Sequence, residues 1–115
     1  MSARATTNFT WAELGNPPDR MRANSRRLAL CLETLRRQLG GHPIRLISAY
    51  RAPAHNARVG GADKSQHLRG AAADIAAGVC TAEQARAAGF SGIGQRGPWA
   101  THLDVRPGPG VHWHY

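Results

Sequence analysis

The segment of residues 65–74 constrains this chain more than any other part of its sequence. It places His67 and Asp74 seven residues apart, with Gly70 and a run of alanines between them. Residues 71–76 are small and apolar except for Asp74, which predicts a buried strand that contains one carboxylate. Such a carboxylate destabilises the fold unless it is paired or metal-bound. Because imidazole and carboxylate are both zinc donors, the segment predicts two ligands of a metal site.

A second His and Asp pair follows 28 residues after Asp74. His102 and Asp104 are two residues apart on a predicted strand, so both side chains point to the same face. If His102 is the third metal ligand, Asp104 projects next to the metal and could act as a general base toward the metal-bound water. Alternatively, Asp104 forms an ion pair with a neighbouring arginine such as Arg106.

The C-terminal segment offers competing third ligands. His112 and His114 share one face of a predicted edge strand and could replace His102 at the metal. The alternative is that this strand is an aromatic-rich edge that packs near the site. His42 and His55 are expected to be ordinary surface or loop residues.

Length and composition predict one modest domain. The chain has 115 residues, and we expect residues 1–8 to be a flexible N-terminus and residues 9–115 to form a single domain. No apolar run approaches the roughly 20 residues that a membrane span requires. Residues 1–10 contain no apolar core, so we expect no signal peptide in this chain. Two cysteines are too few for a disulfide scaffold, and Cys31 is predicted to be a buried free thiol, although a bridge to Cys80 stays open.

The charge of the chain suggests anionic partners. Lysine and arginine number 15 against seven acidic residues, which gives a net charge of +8. This excess favours nucleic acid or an anionic cell-wall polymer, unless the arginines simply form a solvated surface. Aromatic residues are few and are not interleaved with the arginines, so nucleic-acid binding is the weaker interpretation.

The hydrophobic patterns predict an α+β fold in which N-terminal helices pack on a small, mainly antiparallel sheet that carries the site. A leucine stripe with helical spacing predicts the main helix, and two capping boxes predict shorter ones. The predicted helices are residues 9–14, 19–39, 53–59 and 81–89. The predicted strands are residues 43–49, 71–76, 91–94, 101–106 and 111–115.

Several segments together resemble the zinc D-alanyl-D-alanine carboxypeptidase and endopeptidase family. This family includes bacterial cell-wall peptidases and phage endolysins, and it shares a fold with the hedgehog signalling domain. Residues 65–74 fit the family pattern S-x-H-x-x-G-x-A-x-D at every defined position. Residues 48–53 are similar to its S-G-Y-R-S-P segment, and Asn56 with Gly60 and Gly61 to its N-x-x-x-G-G turn. Residues 92–94 and 102–104 resemble its G-I-G and H-x-D elements.

The resemblance implies a Zn²⁺ ion held by His67, Asp74 and a later histidine, most plausibly His102. It implies that Arg51 binds a substrate carboxylate and that Tyr50, Ser65 and Gln66 contribute to the substrate site. The implied activity is hydrolysis of a stem-peptide bond in peptidoglycan by a metal-activated water, by a D-Ala-D-Ala carboxypeptidase or by an endopeptidase of the endolysin type.

One departure from the family concerns the general base. Several relatives carry a Glu or Asp three residues before the last histidine ligand. Here Trp99 occupies that position before His102, and Val111 occupies it before His114, so the role falls to Asp104. The alternative function is a non-catalytic zinc module that recognises cell-wall peptides or a protein partner. We expect a monomer that acts in the cell wall or periplasm and arrives by holin-type release, by another export route or as part of a larger protein.

Overall fold

The chain folds into three α-helices and six short strands within residues 3–62 and 64–115, which the computed structural model describes. The strands are β1 (Arg4–Thr6), β2 (Phe9–Thr10), β3 (Ala72–Asp74), β4 (Gly92–Arg96), β5 (Trp99–Asp104) and β6 (Val111–His114). The α-helices are α1 (Arg22–Gln38), α2 (Pro53–Arg58) and α3 (Ala82–Ala87), with 3-10 turns at Asp19–Met21 and Gln66–Arg69. The predicted α+β class is confirmed.

The main sheet has the strand order β3-β5-β4-β6. Strand β5 pairs antiparallel with β3 and with β4, whereas β6 pairs parallel with β4. The sheet is therefore mainly antiparallel, and the C-terminal strand lies at its edge, as predicted. Strands β1 and β2 form a separate hairpin.

The core lies between α1 and one face of the main sheet. The leucine stripe of α1 is buried as its spacing predicted, and Leu28, Leu32 and Leu35 have no exposed surface. They belong to the same apolar cluster as Ile93 and Leu103 of the sheet. Burying each leucine contributes about 1.5–3 kcal/mol, so this contact stabilises the packing of the sheet against α1. Within the described residues, none of the helices combines the length and apolar character that a membrane crossing would need.

The expected strand at residues 43–49 does not form. The segment touches the sheet at one bridge, between Ser48 and Asp74. Pro43 has no N–H to donate to a ladder, and Ile47 leaves 64% of its surface exposed where a sheet residue would be covered. The segment is therefore a loop that joins the sheet only where Asp74 lies.

Part of the segment expected to be a flexible N-terminus, residues 1–8, has regular structure among the described residues. Residues Arg4–Thr6 form β1, and the Asn8 backbone N–H and side-chain amide both donate to Glu33 of α1, each at 2.7 Å. These bonds tie the hairpin to the helix. Met1 and Ser2 lie outside the described residues.

Both cysteines are free thiols in the structure. Cys31 is half-buried and Cys80 is fully buried. Burial raises the pKa of the Cys80 thiol to about 11. This cysteine is therefore an inert part of the core.

Candidate metal centre

The register of the main sheet sets four residues in one row across its strands. Asp74 of β3 pairs with His102 of β5, His102 pairs with Gly94 of β4, and Gly94 pairs with Trp113 of β6. Paired residues project from the same face of a sheet. Since Ile93 and Leu103 point into the core, this row lies on the opposite face, away from α1.

His67 reaches the row from the 3-10 turn that precedes β3. The Ser65 hydroxyl accepts the backbone N–H of His67 and caps the turn, and Gly70 ends it in a left-handed conformation with φ 69°. The same glycine packs against Ser25 of α1, where a side chain would collide. The turn thus holds His67 over Asp74, with His67 Nε2 3.2 Å from Asp74 Oδ1.

One group of potential metal ligands occurs among the described residues, and it consists of His67, Asp74 and His102. One donor atom from each lies within 4.8 Å of the other two. His112 and His114 are exposed and point away from this group, and His112 contacts the Gln95 and Arg86 side chains instead. The structure therefore brings His102, rather than either C-terminal histidine, to the third position.

Each imidazole has a hydrogen-bond acceptor behind it. His67 Nδ1 lies 2.7 Å from the Ala49 carbonyl oxygen, and His102 Nε2 lies 2.8 Å from Asp104 Oδ2. With a proton on each of these nitrogens, His67 Nε2 and His102 Nδ1 present lone pairs on the side of Asp74. Histidine ligands of metals are oriented in this way by carbonyl or carboxylate acceptors. The donor set of two imidazoles and one carboxylate fits an open zinc site of the catalytic kind.

Asp104 does not lie where a general base would be needed. Its side chain has no exposed surface, and Arg106 donates to both of its oxygens at 2.7–3.1 Å. The sequence correctly placed Asp104 on the same face as His102. However, it lies behind the imidazole, on the side away from Asp74, and has no access to the open side of the metal site.

The two carboxylates carry negative charge over most of the pH range. Burial alone would raise the pKa of Asp74, but the hydrogen bonds that the His102 and His67 imidazoles donate to it when they are protonated lower it well below its ordinary value. Burial opposes ionisation of Asp104 as well, and its bonds with His102 and Arg106 outweigh that effect and lower its pKa. Burial lowers the pKa of His102, but hydrogen bonds to both carboxylates raise it. The centre is therefore built to hold positive charge between Asp74 and Asp104.

Arg51 supports the ligand Asp74 and also lines the cavity above the donors. It donates to Asp74 Oδ2 at 2.8 Å, to Ser48 Oγ at 3.1 Å and to Asn56 Oδ1 at 3.4 Å. A guanidinium has five N–H groups, so one N–H on each terminal nitrogen is left for a ligand. Asn56 belongs to a sequence motif for which the sequence suggested no role. In the structure it accepts a hydrogen bond from Arg51 and donates one to the Ala62 carbonyl, so it joins Arg51 to that loop.

The cavity over the donors has a volume of about 460 Å³. Of the other residues expected to bind substrate, Ser65 and Gln66 line it, whereas Tyr50 does not and packs beside Gly15. Asp74 is the one carboxylate among the described lining residues. Trp113 and Arg106 also line the cavity. The ion pair between Arg106 and Asp104 is the alternative that the sequence left open, and Trp113 belongs to the aromatic-rich edge that it placed near the site. The register of β6 against β4 is what places the Trp113 indole beside the donors.

Two donors on the sheet and one on the turn before it, with an open side, are typical of metal-dependent hydrolases. Residues 7–104 match the family model of peptidase M15, and the chain therefore belongs to the peptidase M15 family. It is also 34% identical over 122 residues to the zinc D-Ala-D-Ala carboxypeptidase of Streptomyces albus G. That alignment covers 92% of this chain and 48% of the relative, so the chain spans about half the length of the relative it matches. The family resemblance seen in the sequence motifs is confirmed.

Proposed function

We propose that this protein is a zinc-dependent peptidase that hydrolyses a stem-peptide bond of peptidoglycan. The observation that carries the proposal is the convergence of donor atoms from His67, Asp74 and His102 within 4.8 Å. Membership of the peptidase M15 family and the similarity to a zinc D-Ala-D-Ala carboxypeptidase support both the metal and the substrate class.

The chain's own residues hold and orient the metal ligands. His67, Asp74 and His102 would bind zinc, which when present polarises a peptide carbonyl and lowers the pKa of water to about 7. The Ala49 carbonyl and the Asp104 carboxylate keep the two imidazoles in the tautomers that ligation requires. Asp104 is thus a positioning residue, and Arg106 balances its buried charge.

Arg51 is proposed to bind the free carboxylate of the substrate. Each terminal nitrogen of its guanidinium keeps one N–H for a ligand, and arginine is the residue best suited to bidentate capture of a carboxylate. The bonds to Ser48, Asp74 and Asn56 fix the guanidinium plane, so little entropy is lost when a ligand binds. A carboxylate subsite next to the metal favours a carboxypeptidase that releases a C-terminal D-Ala over an endopeptidase.

The test is to incubate the zinc-loaded protein with purified peptidoglycan and with D-Ala-D-Ala-terminated stem peptides, and to identify the products by mass spectrometry. Release of free D-alanine is expected for the carboxypeptidase, and cleaved cross-links without free D-alanine indicate an endopeptidase. His67→Ala should lose both zinc and products, whereas His42→Ala, at an exposed position, should keep both. Zinc-loaded wild-type protein that forms no product would disprove the peptidase function.

A second candidate function is a zinc module that binds stem peptides without cleaving them. It is favoured by the position of Asp104, the carboxylate that the sequence suggested as the base, because this side chain is buried behind His102 and bonded to Arg106. Stem-peptide binding that depends on zinc and Arg51, without any product, would support this candidate.

We also propose that anionic wall polymers bind the surface of α1. Three of the acidic side chains are used internally, since Asp74, Asp104 and Glu33 are bonded to Arg51, Arg106 and Asn8. Arg26 and Arg37 are exposed on the helix, beside the groove that the N-terminal hairpin forms with it. Binding to such a polymer should weaken steeply with salt.

The matched variants for this surface carry the same change in charge at different places. Arg26→Gln with Arg37→Gln should reduce polymer retention and its dependence on salt in a co-sedimentation assay. Arg45→Gln with Arg58→Gln, at exposed positions away from that groove, should reduce both much less. Equal losses of polymer retention in the two double variants would show that retention depends on net charge alone and would contradict a binding site on α1.

A further inference from the structure

Trp113 and Arg51 lie at opposite ends of the row that carries the metal donors. At one end Arg51 bonds to Ser48, and Ser48 bridges to Asp74. From Asp74 the row continues through His102 and Gly94 to Trp113. A cation beside the sheet, the metal donors and an aromatic ring therefore follow one another along one side of the molecule.

The Trp113 indole has a defined position next to the donors. It lies over Gly94, where a β-carbon would come within 2.8 Å of the ring. Its centroid is 4.9 Å from the His102 ring, and the Arg106 guanidinium lies 5.4 Å from the indole on another side. The indole is half-buried between these groups and forms a fixed apolar wall of the cavity.

We infer that Trp113 determines specificity by contacting the side chain of the residue that supplies the scissile carbonyl. This inference rests on the proposed function, in which the substrate carboxylate binds Arg51 and the scissile bond lies over the donors. A substrate that runs along the row then directs the residue on the carbonyl side toward β6. One residue spans about 3.5 Å, so a side chain that flanks the scissile bond reaches an indole next to His102.

The indole limits the size of the side chain that fits there. Between His102 and Arg106 it fills the space that Gly94 leaves open above the sheet. A methyl group can pack against its face, whereas a branched side chain would need the ring to move. The site is therefore selective for a small residue such as D-alanine at this position.

The test compares substrates within each variant. Synthetic peptides ending in X-D-Ala, with X as D-Ala, D-Val or D-Leu, are hydrolysed by wild type, Trp113→Ala and Trp113→Phe, and zinc content is measured for each protein. The ratio of kcat/KM for D-Ala to that for D-Leu should fall about ten-fold or more in Trp113→Ala and less in Trp113→Phe. His114→Ala, on the same strand but with its side chain on the other face, is the control and should keep the wild-type ratio.

The outcomes separate this inference from the proposed function. A structural role of Trp113 alone would lower zinc content or the kcat/KM of all three peptides by the same factor, and an unchanged ratio would overturn the inference while leaving the peptidase function intact. A wild-type protein that hydrolyses none of the peptides or peptidoglycan would overturn the proposed function, and this inference with it.

Discussion

Two glycines of β4 create the space in which the site is built. A β-carbon at Gly92 would collide with the Asp104 carboxylate, and one at Gly94 would collide with the Trp113 indole. Both glycines lie on the face of the sheet that carries the donors, and Ile93 between them points into the core. The G-I-G sequence therefore serves steric needs on one face and apolar packing on the other.

The substitution Gly92→Ala should destabilise the fold and weaken metal binding together. The added methyl group must displace Asp104, which has no exposed surface and bonds to His102 and Arg106. Overpacking of this kind costs about 1–3 kcal/mol or more, which denaturant unfolding would measure. Gly97→Ala is the control, because its β-carbon meets no atom within 4 Å and only the φ of 54° disfavours it. A loss of stability in Gly92→Ala no larger than in Gly97→Ala would contradict the steric argument.

Asp104→Asn should weaken zinc binding by about 10–100-fold, which is the usual effect of removing a residue that hydrogen-bonds to a metal ligand. Asparagine keeps the shape of the side chain but loses the charge that holds His102 Nε2–H and Arg106. Zinc affinity, measured by competition with a chelator, is the appropriate readout because it does not depend on turnover. Unchanged zinc affinity with lost activity would instead support the role of a general base for Asp104.

At the scale of elements, two capping-box patterns of the same spacing lead to different structures. Thr81 with Gln84 forms a complete capping box at the start of α3, as predicted. Thr10 with Glu13 makes the same reciprocal bonds at 3.0 Å, yet the residues that follow form a turn rather than a helix. The difference lies downstream, since Gly15 and Asn16 both take positive φ angles and stop the helix before it forms a second turn.

Thr81→Ala should cost about 1 kcal/mol of stability, because it removes the side-chain acceptor for the Gln84 N–H. The measurement is the midpoint of urea unfolding, with no change in its slope. Thr34→Ala, on a more regular part of α1, should stay within about 0.5 kcal/mol of wild type. A neutral effect of Thr81→Ala would mean that packing of Ala82 and Ala85 alone maintains α3.

At the scale of the whole molecule, carboxylates join parts of the fold that are distant in sequence. Glu33 ties α1 to the N-terminal hairpin through Asn8, and Asp74 ties β3 to the loop that carries Arg51. Burial raises the pKa of Glu33, but the hydrogen bonds from Asn8 outweigh burial and lower the pKa. Each of these carboxylates therefore joins two parts of the chain that no local pattern brings together.

The lowered pKa of Glu33 predicts a pH dependence of stability. Its contribution is fully present above its ordinary pKa of about 4.5 and is lost as the pH falls through the lower folded value. The free-energy difference between wild type and Glu33→Gln should therefore shrink as the pH is lowered from 6 to 3, as measured by urea unfolding. Glu83→Gln, at an exposed position, is the control and should not show this convergence.

The sequence predicted the elements whose signals are local. The leucine stripe of α1, the capping box of α3 and the Ala-rich strand around Asp74 are patterns of spacing within one segment, and the structure contains all three. The regular structure at residues 4–8 and the missing strand at residues 43–49 share a cause, because contacts with distant residues decide both. Glu33 of α1 accepts two hydrogen bonds from Asn8, and Asp74 provides the one bridge between the second segment and the described sheet.

The sequence by itself determined the family, the fold class and which residue types can bind a metal, since motif spacing and hydrophobic periodicity are properties of the chain. Only the tertiary structure decided that His102 joins His67 and Asp74, that Asp104 lies behind His102, and that Trp113 completes the cavity. These relations depend on strand register, which sets residues from β3, β5, β4 and β6 in one row. Pairing between strands that are distant in sequence brings these residues together. The spacing of residues within one segment does not predict which strands pair or in which register.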